Sequence, residues 1–382
     1  MMQDSFAFII HPLNPKRDVS RKYPALGKLP AWLIEFLSIF YPPVFISEIE
    51  GIQSAENGRF LKGWFIACPL TPNMMMRLPK WLVYHKIVQT GRLAEKLGAR
   101  VLGLGAFTSV VGDGGLTIAK QLKIPVTTGD SYTVAQAVHA IEEAAVLLEK
   151  PLATATVAVV GATGAIGSIC AQLIAPQCNQ MLLIGRRTEK LQEVATGVRQ
   201  QGARQVTVSA NMADLEQADF IITVTSAVEA IIEPHHLRPG AVVCDVSRPR
   251  DVSKQVAEER PDVLVIEGGM VEVPGPVNFN FDFGFPPKMA YACMAETMAL
   301  ALDGNYVSFT LGKDIKLSQV QTIDTIARRH GFKLGGFRSF ERAVTSTQIA
   351  VVKAAHKSDN NAVNSVPFLN PKTNSFVDSV KI

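Results

Sequence analysis

The chain has 382 residues, 38 Lys+Arg against 34 Asp+Glu for a formal net charge of +4, 47% hydrophobic residues and five cysteines. That length carries two ordinary domains or one large one, and the apolar content excludes wholesale disorder. Charges this evenly balanced give no argument for nucleic-acid binding. Five scattered cysteines without CxxC or Cys/His spacing predict neither a disulfide scaffold nor a metal site, and fit reduced thiols in a cytoplasmic protein.

Along the chain, residues 1–150 read as an irregular α/β unit, an N-terminal substrate domain. Strand-like runs fall at 6–10, 43–49, 60–67 and 100–104, and helical spacing at 80–98 and 132–149. The start, MMQDSFAFII, lacks the basic region and long apolar stretch of a secretory leader. Residues 31–46 (AWLIEFLSIFYPPVFI) are the best membrane candidate, but Glu35 and Pro42-Pro43 interrupt them short of the about 20 residues a span needs. They fit a core helix, a pocket lining or peripheral contact with a bilayer.

Residues 151–275 change character. Short apolar runs at 155–160, 181–184, 205–209, 219–224, 241–246 and 262–266 alternate with helical or loop stretches. This is the pattern of a doubly wound parallel sheet with crossover helices, a Rossmann-type domain. Residues 276–356 form a C-terminal helical segment, with helices expected at 288–302, 316–330 and 341–355. The polar, aperiodic stretch 357–382 is expected to be a flexible tail.

The first apolar run of the middle domain leads straight into Gly161-Ala162-Thr163-Gly164-Ala165-Ile166-Gly167, and a helical pattern follows. Gly161 allows the tight turn, Gly164 lets backbone amides approach a pyrophosphate, and Gly167 lets the helix pack on the strand. The positive helix N-terminus then faces the phosphates. Thr163, Ala165 and Ile166 complete this cradle. NAD-binding domains usually end the second strand with an acid for the ribose 2′-hydroxyl. Here the chain reads Ile184-Gly185-Arg186-Arg187. Guanidinium groups match a 2′-phosphate in charge and shape, so NADPH is the expected cofactor. Solvated residues at a helix start are the other reading of the two arginines. Thr223, Thr225, Ser226 and Asp245 end later strands on the cofactor side.

Cys170, Cys178 and Cys244 read as buried apolar residues, and Cys68, before Pro69, has no clear assignment. Cys293 lies early in a helical run after Gly284, Pro286 and Pro287, with Lys288 nearby. A helix N-terminus and a cation both favour thiolate, although a buried helix cysteine is the commoner occurrence.

At these residues the chain resembles the long-chain acyl-[acyl-carrier-protein] reductases. The segments that carry the resemblance include GLGAFTSVVGD (103–113), TTGDSYT (127–133), VAVVGATGAIGS (157–168), VIEGGMVE (265–272) and AYACMAETMAL (290–300). The resemblance implies NADPH-dependent reduction of an acyl thioester to a fatty aldehyde, with Cys293 as the acylated nucleophile. It implies acyl carrier protein or acyl-CoA as the substrate carrier and an aldehyde-consuming enzyme as a partner. Departures occur at Asp130-Ser131-Tyr132, where TTGNTHT is expected, at DVSRPRDV (245–252), and at PGPVNFNFDFGFPP (274–287).

The chemistry needs oxyanion donors and an apolar tunnel. Thr108, Ser109, Thr128, Gly129 and Ser131 are candidate donors, with structural loops as the alternative. Met74-Met75-Met76 and the aromatics Trp32, Phe36, Phe40 and Tyr41 are candidate tunnel lining or ordinary core. Residues 76–100 hold Arg77, Lys80, Lys86, Arg92, Lys96 and Arg100 against Glu95 alone, a candidate docking face for an acidic carrier. The competing readings are a thiol-independent NADPH oxidoreductase of the shikimate- or amino-acid-dehydrogenase type, and a dinucleotide sensor.

Overall fold

The computed structural model describes residues 4–227 and 229–364. Its first sheet collects β1 (Ser5–Ile10), β2 (Val44–Gln53), β3 (Phe60–Ala67), β4 (Leu102–Leu104) and β5 (Val126–Thr127) in the order β2-β3-β1-β4-β5. All pairs are parallel except β2 with β3. Between the strands run α1 (Pro15–Lys22), α2 (Ala31–Phe40), α3 (Pro72–Arg77), α4 (Lys80–Leu97), α5 (Phe107–Val110) and α6 (Leu116–Ala119). β1 is apolar on both faces because each face is covered. Phe6 and Phe8 enter the large central core, while Ala7 and Ile9 meet Val83 and Ile87 of α4.

After α7 (Asp130–Leu147) the second sheet begins, with β6 (Thr156–Val160), α8 (Ala165–Ile174), β7 (Gln180–Ile184), α9 (Thr188–Gln200), β8 (Gln205–Ser209), β9 (Phe220–Thr223), β10 (Val242–Asp245), α10 (Lys254–Glu259) and β11 (Leu264–Glu267). The strands lie all parallel in the order β11-β10-β9-β6-β7-β8. That order reverses between β6 and β9, which opens a crevice above their carboxyl ends.

A small antiparallel sheet follows, with β12 (Met270–Glu272) between β13 (Met289–Tyr291) and β14 (Lys333–Leu334). α11 (Ala292–Asp303) and α12 (Leu317–His330) pack on α7, and α11 also touches β1 and β4. Ten of the twelve residues of α11 are buried, as expected for a helix apolar all round. α7 and α11 thus fill the space between the two large sheets. The helix expected at 288–302 starts at Ala292, because Met289–Tyr291 pair with β12 as a strand.

The helix expected at 341–355 starts later too. Arg338–Ser339 (β15) and Arg342–Ala343 (β16) form a two-residue hairpin whose turn, Phe340-Glu341, has φ of 46° and 70°, the positive values such a turn demands. α13 (Ser346–Asn364) follows and carries residues 357–364, part of the stretch expected as tail. The remainder, 365–382, lies outside the described residues. Among the described residues no helix is long and apolar enough to cross a membrane.

Candidate active site between the two sheets

A cavity of about 1230 Å³ opens between the sheets, above the roughly 300–1,000 Å³ usual for one small ligand. Its walls come from three directions: His11, Ala106, Ser109, Thr128 and Asp130 from the first sheet and α7; Ile166, Val224, Thr225, Ser226 and Arg248 from the second sheet; Tyr291, Ala292, Cys293 and Met294 from the start of α11. Cys293 therefore shares one cavity with the glycine-rich cradle.

The cradle follows from the local sequence. β6 ends at Val160, and Gly161 turns with φ +80°. A Cβ there would come within 2.3 Å of the Val224 carbonyl oxygen, and one on Gly167 within 2.5 Å of the Gly161 oxygen. A Cβ on Gly164 would approach only Gly161, at 3.2 Å, so its other side is open. Gly164 starts α8 with no side-chain cap, which leaves the amides of Ala165, Ile166 and Gly167 to face an anion. β7 ends at Ile184, followed by the exposed Arg186 and Arg187. Arg187 Nη2 donates to Thr163 Oγ1 at 3.4 Å, tying the arginine to the cradle. These residues fit a dinucleotide.

The other strand-end residues are engaged by an acid. Asp251 accepts hydrogen bonds from Thr223 Oγ1 and Thr225 Oγ1, both at 2.6 Å, and from the Thr225 amide at 3.0 Å. Thr223 is fully buried and lies off the cavity wall, whereas Thr225 and Ser226 lie on it. Asp245 is also structural, accepting from the amides of Ser247 and Val252 at 3.0 and 3.1 Å. Asp251 was missed because an acid inside DVSRPRDV carries no local signal of its target.

At the centre, Cys293 is the second residue of α11, whose start has no side-chain cap. It is half-buried, and the other four cysteines are buried. None of those four lines the cavity. The thiol is pushed up to about 12, first by burial and then by the nearby Asp130, against the lowering effect of the Met294 N–H. The expected thiolate is therefore corrected: the resting group is a thiol. Lys288 is exposed with φ 67°, does not line the cavity, and is not among the charges acting on the thiol. Asp130, first residue of α7 and half-buried on the cavity wall, is pushed up to about 7 by burial and by Glu296, although the Thr128 hydroxyl opposes this.

Glu296 holds this corner together. It is fully buried, and its carboxyl accepts from Thr127 Oγ1, from the Tyr132 amide at 2.9 Å and from Thr310 Oγ1 at 2.9 Å. Burial keeps its pKa raised. One turn along α11 from Cys293, it locks the Thr127–Gly129 turn against the helix that presents the thiol.

The candidate oxyanion donors stand differently. Thr108 Oγ1 donates to the Gly105 carbonyl at 2.8 Å, and Ser109 Oγ to that of Ala106 at 2.6 Å. Ser131 is fully buried beside Thr310, at 2.8 Å. Of the three, only Ser109 reaches the cavity. The tunnel expectation is corrected as well. Met74 and Met75 belong to the core beside α4, Met76 is 52% exposed, and Trp32, Phe36 and Phe40 face outward; of the named aromatics only Tyr41 lines the cavity.

The apolar wall comes instead from Leu13, Leu26, Leu29, Ile34 and Leu37 and from Phe281, Phe283 and Phe285. The phenylalanines form a ladder: Phe283 meets Phe65 at 5.3 Å and Phe285 at 5.5 Å between ring centroids, and Phe285 meets Tyr291 at 4.4 Å. Phe at every second position of 279–285 was the available signal. In the basic segment, Lys86 is buried and donates to the Tyr41 carbonyl at 2.8 Å, and Arg100 pairs with Asp4 at 3.0 Å. Arg77, Lys80, Arg92 and Lys96 are exposed.

Similar proteins are found both for the second sheet alone and for most of the chain. The Shikimate / quinate 5-dehydrogenase family pattern matches residues 142–267, the dinucleotide-binding part. The chain is 29% identical over 336 residues to a long-chain acyl-[acyl-carrier-protein] reductase of Synechococcus elongatus, covering 84% of this chain and 95% of that protein. It is 28% identical over 309 residues to the aminotransferase PigE of a Serratia species, covering 80% of this chain but only 36% of that much longer relative. A solved L-tryptophan dehydrogenase from Nostoc punctiforme aligns over 94% of this chain and 89% of its own at 14% identity and a TM-score of 0.41. The chain is an α/β protein whose second sheet forms a Rossmann-type dinucleotide-binding domain. Among the described residues no group of three or more metal-binding side chains occurs.

Proposed function

We propose that the protein reduces a long-chain acyl thioester to an aldehyde through an acyl group held on Cys293, with NADPH as reductant. The observation that carries this reading is the convergence in one cavity of the cavity-facing cysteine, a carboxyl beside it, the glycine cradle and a long apolar wall. The similarity to the acyl-[acyl-carrier-protein] reductase supports the substrate class.

The Asp130 carboxylate takes the thiol proton as Sγ bonds to the thioester carbonyl carbon. A thiol held near 12 needs such a base, and a carboxyl near 7 is a far better one than an ordinary aspartate. The Ala292 amide donates to the Gly269 carbonyl, so the following amides of Cys293 and Met294 are the candidate donors to the tetrahedral oxyanion, in place of Thr108 and Ser131. The bond from carbon to the carrier sulfur breaks, and Asp130 returns its proton to the departing thiolate. NADPH, held by Gly161–Gly167, Arg186 and Arg187, supplies the hydride when bound. Collapse of the resulting Cys293 thiohemiacetal breaks the carbon–Sγ bond, releases aldehyde and regenerates the cysteine, which regains a proton from solvent by way of Asp130.

A sixteen-carbon chain along the apolar wall could gain on the order of 10 kcal/mol from burial. An acidic carrier suits the exposed Arg77, Lys80, Arg92 and Lys96, and acyl-CoA is the other carrier to assay. An aldehyde-consuming enzyme would take the product. The decisive experiment is NADPH oxidation over a panel of acyl-ACP and acyl-CoA thioesters with the aldehyde identified, repeated with Cys293→Ser. Aldehyde formation that survives in the variant would return the reading to a thiol-independent dehydrogenase.

A further inference from the structure

α2 has two faces with different destinations. Ile34, buried, and Leu37 and the C-cap Tyr41, 44% and 39% exposed, line the cavity. Trp32, Phe36 and Phe40 turn outward, 68%, 54% and 72% exposed. Phe36 and Phe40 pack edge to face at 5.5 Å, so the outer face is a formed aromatic surface. Cations border it. Lys22 of α1 lies 6.0 Å from the ring of the exposed Phe45 and donates to the Ile46 carbonyl, and Tyr23 packs on Tyr41. Lys16, Arg17 and Arg21 of α1 and Lys28 between α1 and α2 are exposed, Arg17 and Arg21 also reaching the cavity, against Asp18, which pairs with Arg17 and Arg21, and Glu35, which accepts from Thr71. That hydrogen bond joins α2 to α3, which leads to the exposed Met76 and Trp81 with Arg77 and Lys80. Aromatic side chains with a cationic border are the composition of a surface that lies in the headgroup region of an anionic bilayer.

We propose that the outer face of α2 and its flanks docks on an anionic lipid surface, placing the cavity wall formed by the inner face of α2 against the bilayer. The geometry suits a water-insoluble substrate or product, and the docking itself does not depend on which compound the cavity reduces.

The test is co-sedimentation of the full chain with phosphatidylcholine vesicles and with vesicles containing phosphatidylglycerol, at low salt and at about 0.5 M salt. The expected result is binding to the anionic vesicles, weakened by salt, and lost at least tenfold in Trp32→Asp/Phe36→Asp. A Lys16→Glu/Lys28→Glu chain, altered at two exposed cations off the cavity wall, should lose the preference for phosphatidylglycerol. Both variants should turn over a water-soluble short thioester at the wild-type rate, which shows that they fold. Failure of the wild-type chain to pellet, or equal binding by the Asp variant, overturns the proposal. A vesicle-indifferent chain that sediments as a dimer, and as a monomer after Trp32→Asp/Phe36→Asp, would reassign the face to a second copy. Capture of a soluble protein through the same residues, without vesicle binding, would reassign it to a protein partner.

Discussion

Gly129 lies directly against Cys293. A Cβ on Gly129 would come within 2.2 Å of the Cys293 Cα and 2.4 Å of its Cβ. Gly129 also has φ +78° at the start of α7. Glycine alone satisfies both requirements, so the turn and the helix that carries Cys293 are packed backbone to backbone. Gly129→Ala should cost on the order of 2–4 kcal/mol of stability from left-handed strain and overpacking together. Activity should fall further than stability explains, because α11 must move. Denaturant melts and single-turnover acylation check this; an unchanged acylation rate would argue against the packing.

Cys293→Ala should abolish acyl transfer to protein and lower kcat/KM by at least about 10³-fold. NADPH binding, followed by cofactor fluorescence, should persist. In the wild-type chain, incubation with acyl thioester without NADPH should leave a thioester on Cys293 that peptide mass spectrometry locates. Iodoacetamide should label Cys293 before the other four cysteines because of exposure, and slowly because it rests as a thiol.

Asp130 sets a pH dependence. Its folded-state pKa near 7 lies above an ordinary aspartate value, so its protonated form is favoured by folding. The associated stability is complete below about pH 4 and is lost as pH rises through 7. Asp130→Asn should therefore gain stability relative to wild type between pH 5 and 7 and level off above. Its acylation rate should drop on the order of 10²-fold and lose the rising limb near pH 7 that the ionised base provides. A variant keeping that limb would assign the titration to another group.

Arg186→Ala/Arg187→Ala should weaken NADPH binding roughly 10- to 100-fold, the value of one or two charge-assisted hydrogen bonds. NADH binding should change less than about threefold. Equal losses for both cofactors would exclude contact with the 2′-phosphate.

Asp251→Asn should lower stability by about 1–3 kcal/mol, since four protein donors, from Thr223, Thr225 and Ser247, converge on that carboxylate. Because the same bonds fix Thr225 on the cavity wall, NADPH affinity should fall with it, a coupling that titration calorimetry reads directly.

The features readable from residue order are those made by neighbours in the chain. The run from β6 through Gly161, Gly164 and Gly167 into α8 is such a feature, because turn geometry and helix N–H groups are local backbone properties. The alternation of apolar runs across 151–275 anticipates the parallel sheet for the same reason. The environment of a side chain is set from far away. Thr127 and Glu296 are 169 residues apart and share a buried hydrogen bond, and the Cys293 thiol meets Asp130 from another helix. A helix start and a nearby lysine in sequence suggested thiolate. Only the packing of α7 against α11 put a carboxyl and a buried wall beside that sulfur, and desolvation then outweighed the helix amides. The same holds for the lining. Met74 and Met75 were chosen by type, but which residues face a cavity depends on how separate elements meet, and there the Phe281–Phe285 ladder took the place.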